Sequence, residues 1–534
     1  MKTLLIDRLP LAFREQQPGI HNHIHDGIRT FDRDFLTNLV RWGSIDNIVI
    51  CDPGPFHQKA VALPDHVKLL TVDQVQRIAR VDQCILFRSG TDLSPFVPFR
   101  EFIGRPELPI CGMTHGLSDV ADIPRYIMQS HLKLHKYDAI VCTSDGAGRT
   151  FRRVYEELSR SQILDGPLSL PDISYPTIPI GVSCVDECAP EPKSIARSSI
   201  GLNENSFVAA MVGRLSPINK ADLRPLIRSL PALKCRLPEL QVVIVGDDND
   251  YQLVSQLQSQ VDSLCISSFV TLMSNVSERQ KHDLLTSADV FIALSDTLTE
   301  TFGISVAEAL WHGVPVIASD WDGYRVLVED GVNGFLIPTY MPEACPAFSS
   351  VAQLFDVRGL IGESVTLDWD LLATRLESLA RSVNDQQRMA EAAYSRARST
   401  FDWKHIIQEY SALWSWQVAE AERHRSFNTS PSSAAAFYSY DRVFEGYPAI
   451  RYSDKSQVQS LTQSVDKSDH ECFPRYATSP ELSLVKAILV ACQEPIAIAT
   501  LLERLKVTYT DLEIRLSIHR LLKQGFMCLH YVHR

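Results

Sequence analysis

From the start of the chain to about residue 420, short apolar runs alternate with segments whose apolar positions recur every three to four residues. Continuous apolar runs fit strands buried on both faces, and the longer period fits amphipathic helices, so the alternation predicts βα units and parallel sheets. After a first strand in the opening residues, strands are predicted at Asn47–Cys51, Val67–Leu70, Cys84–Phe87, Pro109–Thr114 and Asp138–Thr143, and Ile178–Val182 reads as the last of this series. Cys188–Ser198, rich in Pro and polar residues, reads as a linker. A second series follows at Phe207–Val212, Gln241–Val245, Val270–Leu272, Val290–Leu294, Val314–Ala318 and Phe335–Ile337, with helices at Ala221–Cys235, Tyr251–Val261 and Ser277–Ser287. Tyr340 to Asp368 has weak periodicity and reads as an insertion or lid near the mouth of a site. Helical patterns then cover Leu371–Thr400 and Trp403–Ala419. The expected division is a first α/β domain over residues 1–190, a second over 200–420, a linker over 421–436, and a small, mainly helical domain over 437–534 with patterns at Leu482–Cys492, Ile496–Leu505 and Asp511–Gln524.

Composition narrows this picture little. At 534 residues, two or three domains are expected, and 45% apolar with 22% charged residues is ordinary for a globular protein. A net charge of −12 argues against a general nucleic-acid binder. In the tail from Phe437, 12 Lys and Arg nearly cancel 11 Asp and Glu, which favours docking or dimerisation over DNA binding. The apolar start breaks at Asp7 and Arg8, and no run of 18 apolar residues occurs, so a cytoplasmic location is expected, with peripheral membrane contact left open. The 12 cysteines stand singly apart from Cys184 and Cys188, and no Cys-x-x-Cys occurs, as expected of reduced thiols.

The densest chemistry runs from Glu300 to Pro338. Glu300 and Glu308 flank a Phe302-Gly303 turn that opens a short helix. A helix N-terminus presents unpaired N–H groups and the positive end of its dipole. Gly303 lets backbone approach a ligand, and Ile304 and Ser305 add N–H groups, which makes an anion site suited to a diphosphate. Glu308, in the second turn, can accept from two hydroxyls such as a ribose diol, and Glu300 would lie beside a sugar attached to the diphosphate. Upstream, Gly213-Arg214-Leu215 and Lys220 follow a strand and bring two cations that would neutralise charge developing on a leaving phosphate. On spacing alone, the same residues also fit a capping acid, a solvated carboxylate and two ordinary loop cations.

Taken together, these segments resemble the nucleotide-sugar site of retaining glycosyltransferases of family 4, whose fold, GT-B, consists of two facing Rossmann-like doubly wound domains. The resemblance covers about residues 1–420 and is strongest from Phe207 to Pro338. It implies transfer of a sugar from a nucleoside-diphosphate sugar to an acceptor hydroxyl with retained configuration and no metal or other cofactor. Glu300 would hold the donor sugar, Glu308 the ribose, and Arg214 and Lys220 the diphosphate. Val245-Gly246-Asp247 matches the family's Val-Gly-Asp near the nucleotide, and His115, in GMTHGLSD, would approach the donor sugar from the facing domain. The last helix, entered at Phe401-Asp402-Trp403, would cross back to the first domain. Two departures stand out. Ala221-Asp222 follows Lys220 where the family has Gly, and Ala318–Arg325 (ASDWDGYR) keeps only Gly323 of a Gly-Gly pair while adding Asp320, Asp322 and Arg325.

The acceptor is left open among a glycan, a lipid-linked sugar and a small molecule, and the winged-helix-like tail suggests a protein partner or self-association. His21-x-His23-x-His25 is read as part of the glycine-containing loop Gln16–Arg29 rather than as a metal site. No Gly-x-Ser-x-Gly elbow, P-loop lysine or His-Glu-x-x-His occurs. A nucleotide-sugar epimerase of the same fold and a non-catalytic scaffold are the competing readings.

Overall fold

The computed structural model describes residues 2–6, 27–51, 67–70, 77–78, 81–161, 164, 166, 168–182, 192–217, 219–246, 253–274, 276–342, 358–425, 452–462 and 482–530. The first series is β1 (Lys2–Ile6), α1 (Gly27–Trp42), β2 (Asn47–Cys51), β3 (Val67–Leu70), β4 (Gln83–Phe87), α2 (Phe96–Phe102), β5 (Ile110–Met113), α3 (Ile123–Ser130), β6 (Ala139–Val141) and α4 (Asp145–Arg160). Its strands form a six-stranded sheet in the order β3-β2-β1-β4-β5-β6, with every pairing parallel.

The second series is α5 (Lys193–Ser199), β7 (Phe207–Val212), α6 (Arg224–Arg236), β8 (Leu240–Val245), α7 (Leu253–Ser263), β9 (Val270–Met273), α8 (Glu278–Ser287), β10 (Val290–Ala293), α9 (Ile304–Trp311), β11 (Val316–Ser319), α10 (Tyr324–Leu327) and β12 (Gly334–Ile337). Its sheet runs β12-β11-β10-β7-β8-β9, again parallel. All six residues of β7 are buried, as continuous apolar runs require when helices cover both faces.

Beyond β12 come β13 (Thr339–Tyr340), α11 (Arg358–Glu363), β14 (Thr366–Leu367), α12 (Trp369–Arg381), α13 (Val383–Thr400) and α14 (Trp403–Arg423). In the segment expected as an insertion, Tyr340 of β13 pairs antiparallel with Thr366 of β14, and residues 343–357 lie outside the described residues. The long pattern Leu371–Thr400 is two helices. Ser382 leaves helical geometry at ψ 92 and caps α13 by accepting from the Asp385 N–H.

Two other expectations change. Ile178–Val182 joins neither sheet: Thr177 bridges Cys142, and Val182 bridges Asp402, so the segment ties β6 to the start of α14. The end of the expected linker coils into α5, whose Arg197 pairs with Asp289 at 2.6 Å.

Helix α14 packs its Trp403, Tyr410 and Trp414 against Phe31 and Phe35 of α1 and Phe87 of β4. Gln417 is fully buried there and donates to the carbonyls of Ile110 (3.1 Å) and Tyr137 (2.7 Å). Pairing a buried amide in this way offsets its desolvation and fixes where the helix sits.

The tail comprises β15 (Gln457–Ser460), α15 (Leu482–Ala491), β16 (Ile496–Ala497), α16 (Ile498–Leu505), α17 (Asp511–Lys523) and β17 (Met527–His530), with sheet order β16-β15-β17. Ile496 and Ala497, expected in a helix, pair instead with β15. Glu513 closes a capping box with Thr510 and pairs with Arg77 of the first series at 2.6 Å. No described helix is long and apolar enough to cross a membrane.

Candidate functional site

Each six-stranded sheet reverses its winding at a central strand pair, β1 with β4 and β7 with β10. Connections leave such a pair toward opposite faces and open a crevice at the carboxyl ends of the strands. Gly213 and Arg214 follow β7, Gly246 follows β8, Glu300 follows β10, and His115 lies just past β5, all at carboxyl ends. An open pocket is lined by Gly213, Arg214, Lys220, Ser305 and Tyr324 among others. Gly246, just beyond β8, packs against the Gly213 carbonyl, and a Cβ there would stand 2.1 Å from that oxygen.

The centre of the site is an ion pair. Lys220 Nζ donates to Glu300 Oε2 at 2.5 Å, and the Phe302 N–H approaches Glu300 Oε1 at 3.4 Å. Glu300 is only 8% exposed. Burial would push its carboxyl up, but the Lys220 charge and hydrogen bond, the Phe302 N–H and the Arg214 charge outweigh that and hold it below the ordinary carboxylate range. Tyr324 also reaches Glu300 through its side chain, and burial beside that carboxylate holds its phenol well above the ordinary value.

Gly303 caps α9 in the left-handed region, at φ 105, and a Cβ there would lie 2.6 Å from Tyr324 Cε1. Conformation and space both select glycine. The neighbouring Phe302 is a core residue: its side chain is 2% exposed and packs edge to face on Phe401 at 5.9 Å. The turn points its ring inward, and its backbone N–H faces Glu300 Oε1. Ile304 likewise packs against the core, while Ser305 lines the pocket.

Glu308 stands partly buried in α9 and accepts from Lys281 of α8 at 2.9 Å. Burial opposes a charge on Lys281, but Glu308 and Glu278 together hold its ammonium well above the ordinary value. Behind this pair, His312 Nδ1 donates to the Glu308 carbonyl (2.8 Å), and its Nε2 lies 3.1 Å from His282 Nδ1. With His312 Nδ1 carrying the proton, its Nε2 accepts from His282. Burial pushes His312 down to about 4.

From the facing side, His115 Nε2 is 2.8 Å from Ser89 Oγ, and the ring meets the edge of Phe31 at 5.5 Å. The next residue, Gly116, approaches the carbonyl of Thr299, the neighbour of Glu300 (a Cβ would be 3.8 Å away). The two series also meet at Asp322. Its carboxylate lies so close to Gly146 in the first turn of α4 that a Cβ there would be 1.7 Å from Oδ1. Burial raises the Asp322 carboxyl to about 6, against the charges of Arg149 and Arg325. Of the three extra charges noted in the sequence, Asp320 and Arg325 pair with each other at 2.6 Å on the exposed side, and Asp322 meets the first series at Gly146.

Residues 192–347 match the family described as glycosyl transferases, group 1. The matched segment holds the Lys220–Glu300 pair, Glu308 and the β7–β12 sheet. A D-inositol 3-phosphate glycosyltransferase of Streptomyces griseus subsp. griseus is 28% identical over 217 residues, covering 38% of this chain and 45% of that protein. The protein of the same name from Mycobacteroides abscessus is 32% identical over 174 residues, covering 32% of this chain and 36% of that protein. The chain thus spans less than half the length of these relatives. Among solved structures, Anabaena Alr3699/HepE in complex with UDP aligns over 78% of this chain and 100% of that one, with a TM-score of 0.52 at 19% identity. Sucrose-phosphate synthase from Thermosynechococcus elongatus aligns over 79% and 100%, with a TM-score of 0.52 at 14% identity. At these identities the likeness is one of fold, and the fold is GT-B.

Within the group 1 segment and its facing domain, sequence reasoning missed Lys281, Asp296, Tyr324, Ser89 and Arg149. Ser89 could have been found as the residue just beyond a predicted strand end. Lys281 and Arg149 lie on helix faces with no local signal. Asp247 and His21, His23 and His25 lie outside the described residues, and the expected loop Gln16–Arg29 ends inside α1, which begins at Gly27. Among the described residues no cluster of three or more metal-binding side chains occurs.

Proposed function

We propose that this chain is a retaining glycosyltransferase that moves a sugar from a nucleoside-diphosphate donor to an acceptor hydroxyl without a metal. The observation that carries the reading is the Lys220–Glu300 pair, set beside Arg214 and in front of the α9 N-terminus. In the transfer, the bond between the anomeric carbon and the diphosphate oxygen breaks, and its electron pair stays on the diphosphate. The acceptor oxygen bonds the anomeric carbon on the same face, and the acceptor's proton leaves with the diphosphate or to water. Lys220, Arg214 and the N–H groups of Ile304 and Ser305 stabilise the departing charge. Glu300 accepts from donor-sugar hydroxyls and Glu308 from the ribose, while His115, held by Ser89, contributes a hydrogen bond from the facing domain.

UDP is the first nucleotide to try, since the Anabaena structure holds it. The test is a thermal-shift screen with UDP, GDP, ADP and their sugar conjugates, with and without EDTA. One base raising the melting temperature regardless of EDTA is the expected result. No shift from any of them would overturn the donor site and leave the non-catalytic scaffold. Acceptors remain a glycan, a lipid-linked sugar or a small molecule. The tail, over residues 437–534, we assign to docking or self-association; truncation after residue 430 that changes neither turnover nor oligomeric state would rule that out.

A further inference from the structure

We propose that Asp296 is a positioning residue that clasps the loop bearing Lys220 onto the segment bearing Glu300. Asp296 is 6% exposed and follows β10 by three residues. Its Oδ2 accepts from the Asp222 N–H at 3.1 Å, and its own N–H donates to the Lys220 carbonyl at 3.3 Å. The same carbonyl accepts from Ser295 Oγ and Thr297 Oγ1, both at 3.3 Å. Thr299 Oγ1 adds a bond to the Asn219 carbonyl at 2.5 Å. The main chain of Lys220 is therefore gripped from residues 295–297 while its ammonium reaches Glu300 on the same segment.

The clasp falls where the chain departs from its family. Lys220 is followed by Ala221-Asp222 instead of Gly, and the Asp222 N–H is the group that Asp296 takes. A lysine side chain has long reach and many rotamers. Fixing both the backbone and the tip confines the ammonium to one place, and misplacement of about 1 Å can cost on the order of a hundredfold in rate. Asp296 Oδ1, meanwhile, is buried with no hydrogen-bond partner among the described residues. A buried polar atom in that condition opposes stability, as expected of a group kept for geometry.

This inference rests on the proposed role of Lys220, so its test has one readout that does not. In the full-length chain, amide hydrogen exchange across residues 219–222 is compared for wild type, Asp296→Ala and Asp296→Asn. Asp296→Ala should speed exchange there by about tenfold or more, and Asp296→Asn, which keeps an acceptor for the Asp222 N–H, should stay within about threefold of wild type. The second readout is nucleoside-diphosphate release from UDP-, GDP- and ADP-glucose. Asp296→Ala should lower kcat by about tenfold or more with KM little changed, Asp296→Asn should restore most of it, and adding Asp296→Ala to Lys220→Ala should cost nothing further.

If Asp296→Ala does not fold, Thr297→Val removes one donor to the Lys220 carbonyl and should move both readouts the same way by a smaller factor. Unchanged exchange in a folded variant overturns the clasp whatever the enzyme's substrate. Faster exchange with unchanged kcat, while Lys220→Ala abolishes turnover, overturns the positioning role. If Lys220→Ala has no effect on wild-type turnover, the reading of the site fails and the inference with it.

Discussion

At the scale of single residues, the buried charges decide what the site can do. Glu300 is a carboxylate taken out of water and kept ionised by Lys220. Removing one partner of such a pair leaves the other uncompensated, so Lys220→Met should destabilise by roughly 2 kcal/mol. Thermal unfolding of the double variant Lys220→Met/Glu300→Gln should recover part of that loss, because a neutral amide needs no counter-ion; equal or larger loss in the double variant would contradict the pairing. Two other buried groups give opposite pH dependences. His312 is held at about 4 against an ordinary 6.5. Its folded value is depressed, so its stabilising contribution is present above pH 6.5 and is lost as pH falls toward 4. Integrated over that window, this amounts to roughly 3 kcal/mol. Asp296 is raised by burial to about 7 from 3.8. Its contribution is fully present below pH 3.8 and is lost as pH rises through 7. Denaturant unfolding at several pH values should therefore show His312→Asn flattening the slope between pH 4 and 6.5, and Asp296→Asn flattening it between pH 4 and 7. If neither variant alters its window, burial is not governing these groups.

At the scale of elements, α9 does the most with the least sequence. Eight residues supply Ser305 at the pocket, the Glu308 carboxylate and, through Val306 and Leu310, a share of the core. Gly303 permits this, and Gly303→Ala meets both a left-handed backbone and the Tyr324 ring. Strain of about 1–3 kcal/mol is expected, and relief by shifting the turn would move the Ile304 and Ser305 N–H groups. Nucleoside-diphosphate affinity measured by calorimetry should fall about tenfold or more, while a variant binding as tightly as wild type would remove α9 from the anion site. Much of this was legible in the chain. Apolar runs located the second-series strands, and Phe302-Gly303 marked the helix start, because burial and backbone conformation are local demands. Ile178–Val182 misled because an apolar run needs only a buried place, and this one is buried between β6 and α14 rather than in a sheet. The break at Ser382 escaped because a serine inside a helical period is ambiguous until its side chain is seen to cap. Lys281 and Arg149 escaped because their partners lie on other elements, 27 residues away for Lys281 and Glu308.

At the scale of the whole molecule, the two Rossmann-like domains touch at points that flank the site: Gly116 against Thr299, and Asp322 against Gly146 at the head of α4. The second contact is nearly without slack, since a single methyl at 146 would lie 1.7 Å from Asp322 Oδ1. The three atoms nearest a Cβ at 146 all belong to Asp322, so enlarging Gly146 should leave each domain folded and act on their approach. Gly146→Ala should thus reduce turnover with little change in melting temperature, and small-angle scattering should show a larger radius of gyration. Closure excludes water and completes a site built from two halves, so the loss should appear in kcat as well as KM. Asp322→Gly removes the obstructing carboxylate. If the contact itself is what matters, Gly146→Ala/Asp322→Gly should close again and regain the turnover of Asp322→Gly alone. Additive loss in the double variant would mean that Gly146 acts within α4, and that the domains meet at this point without depending on it.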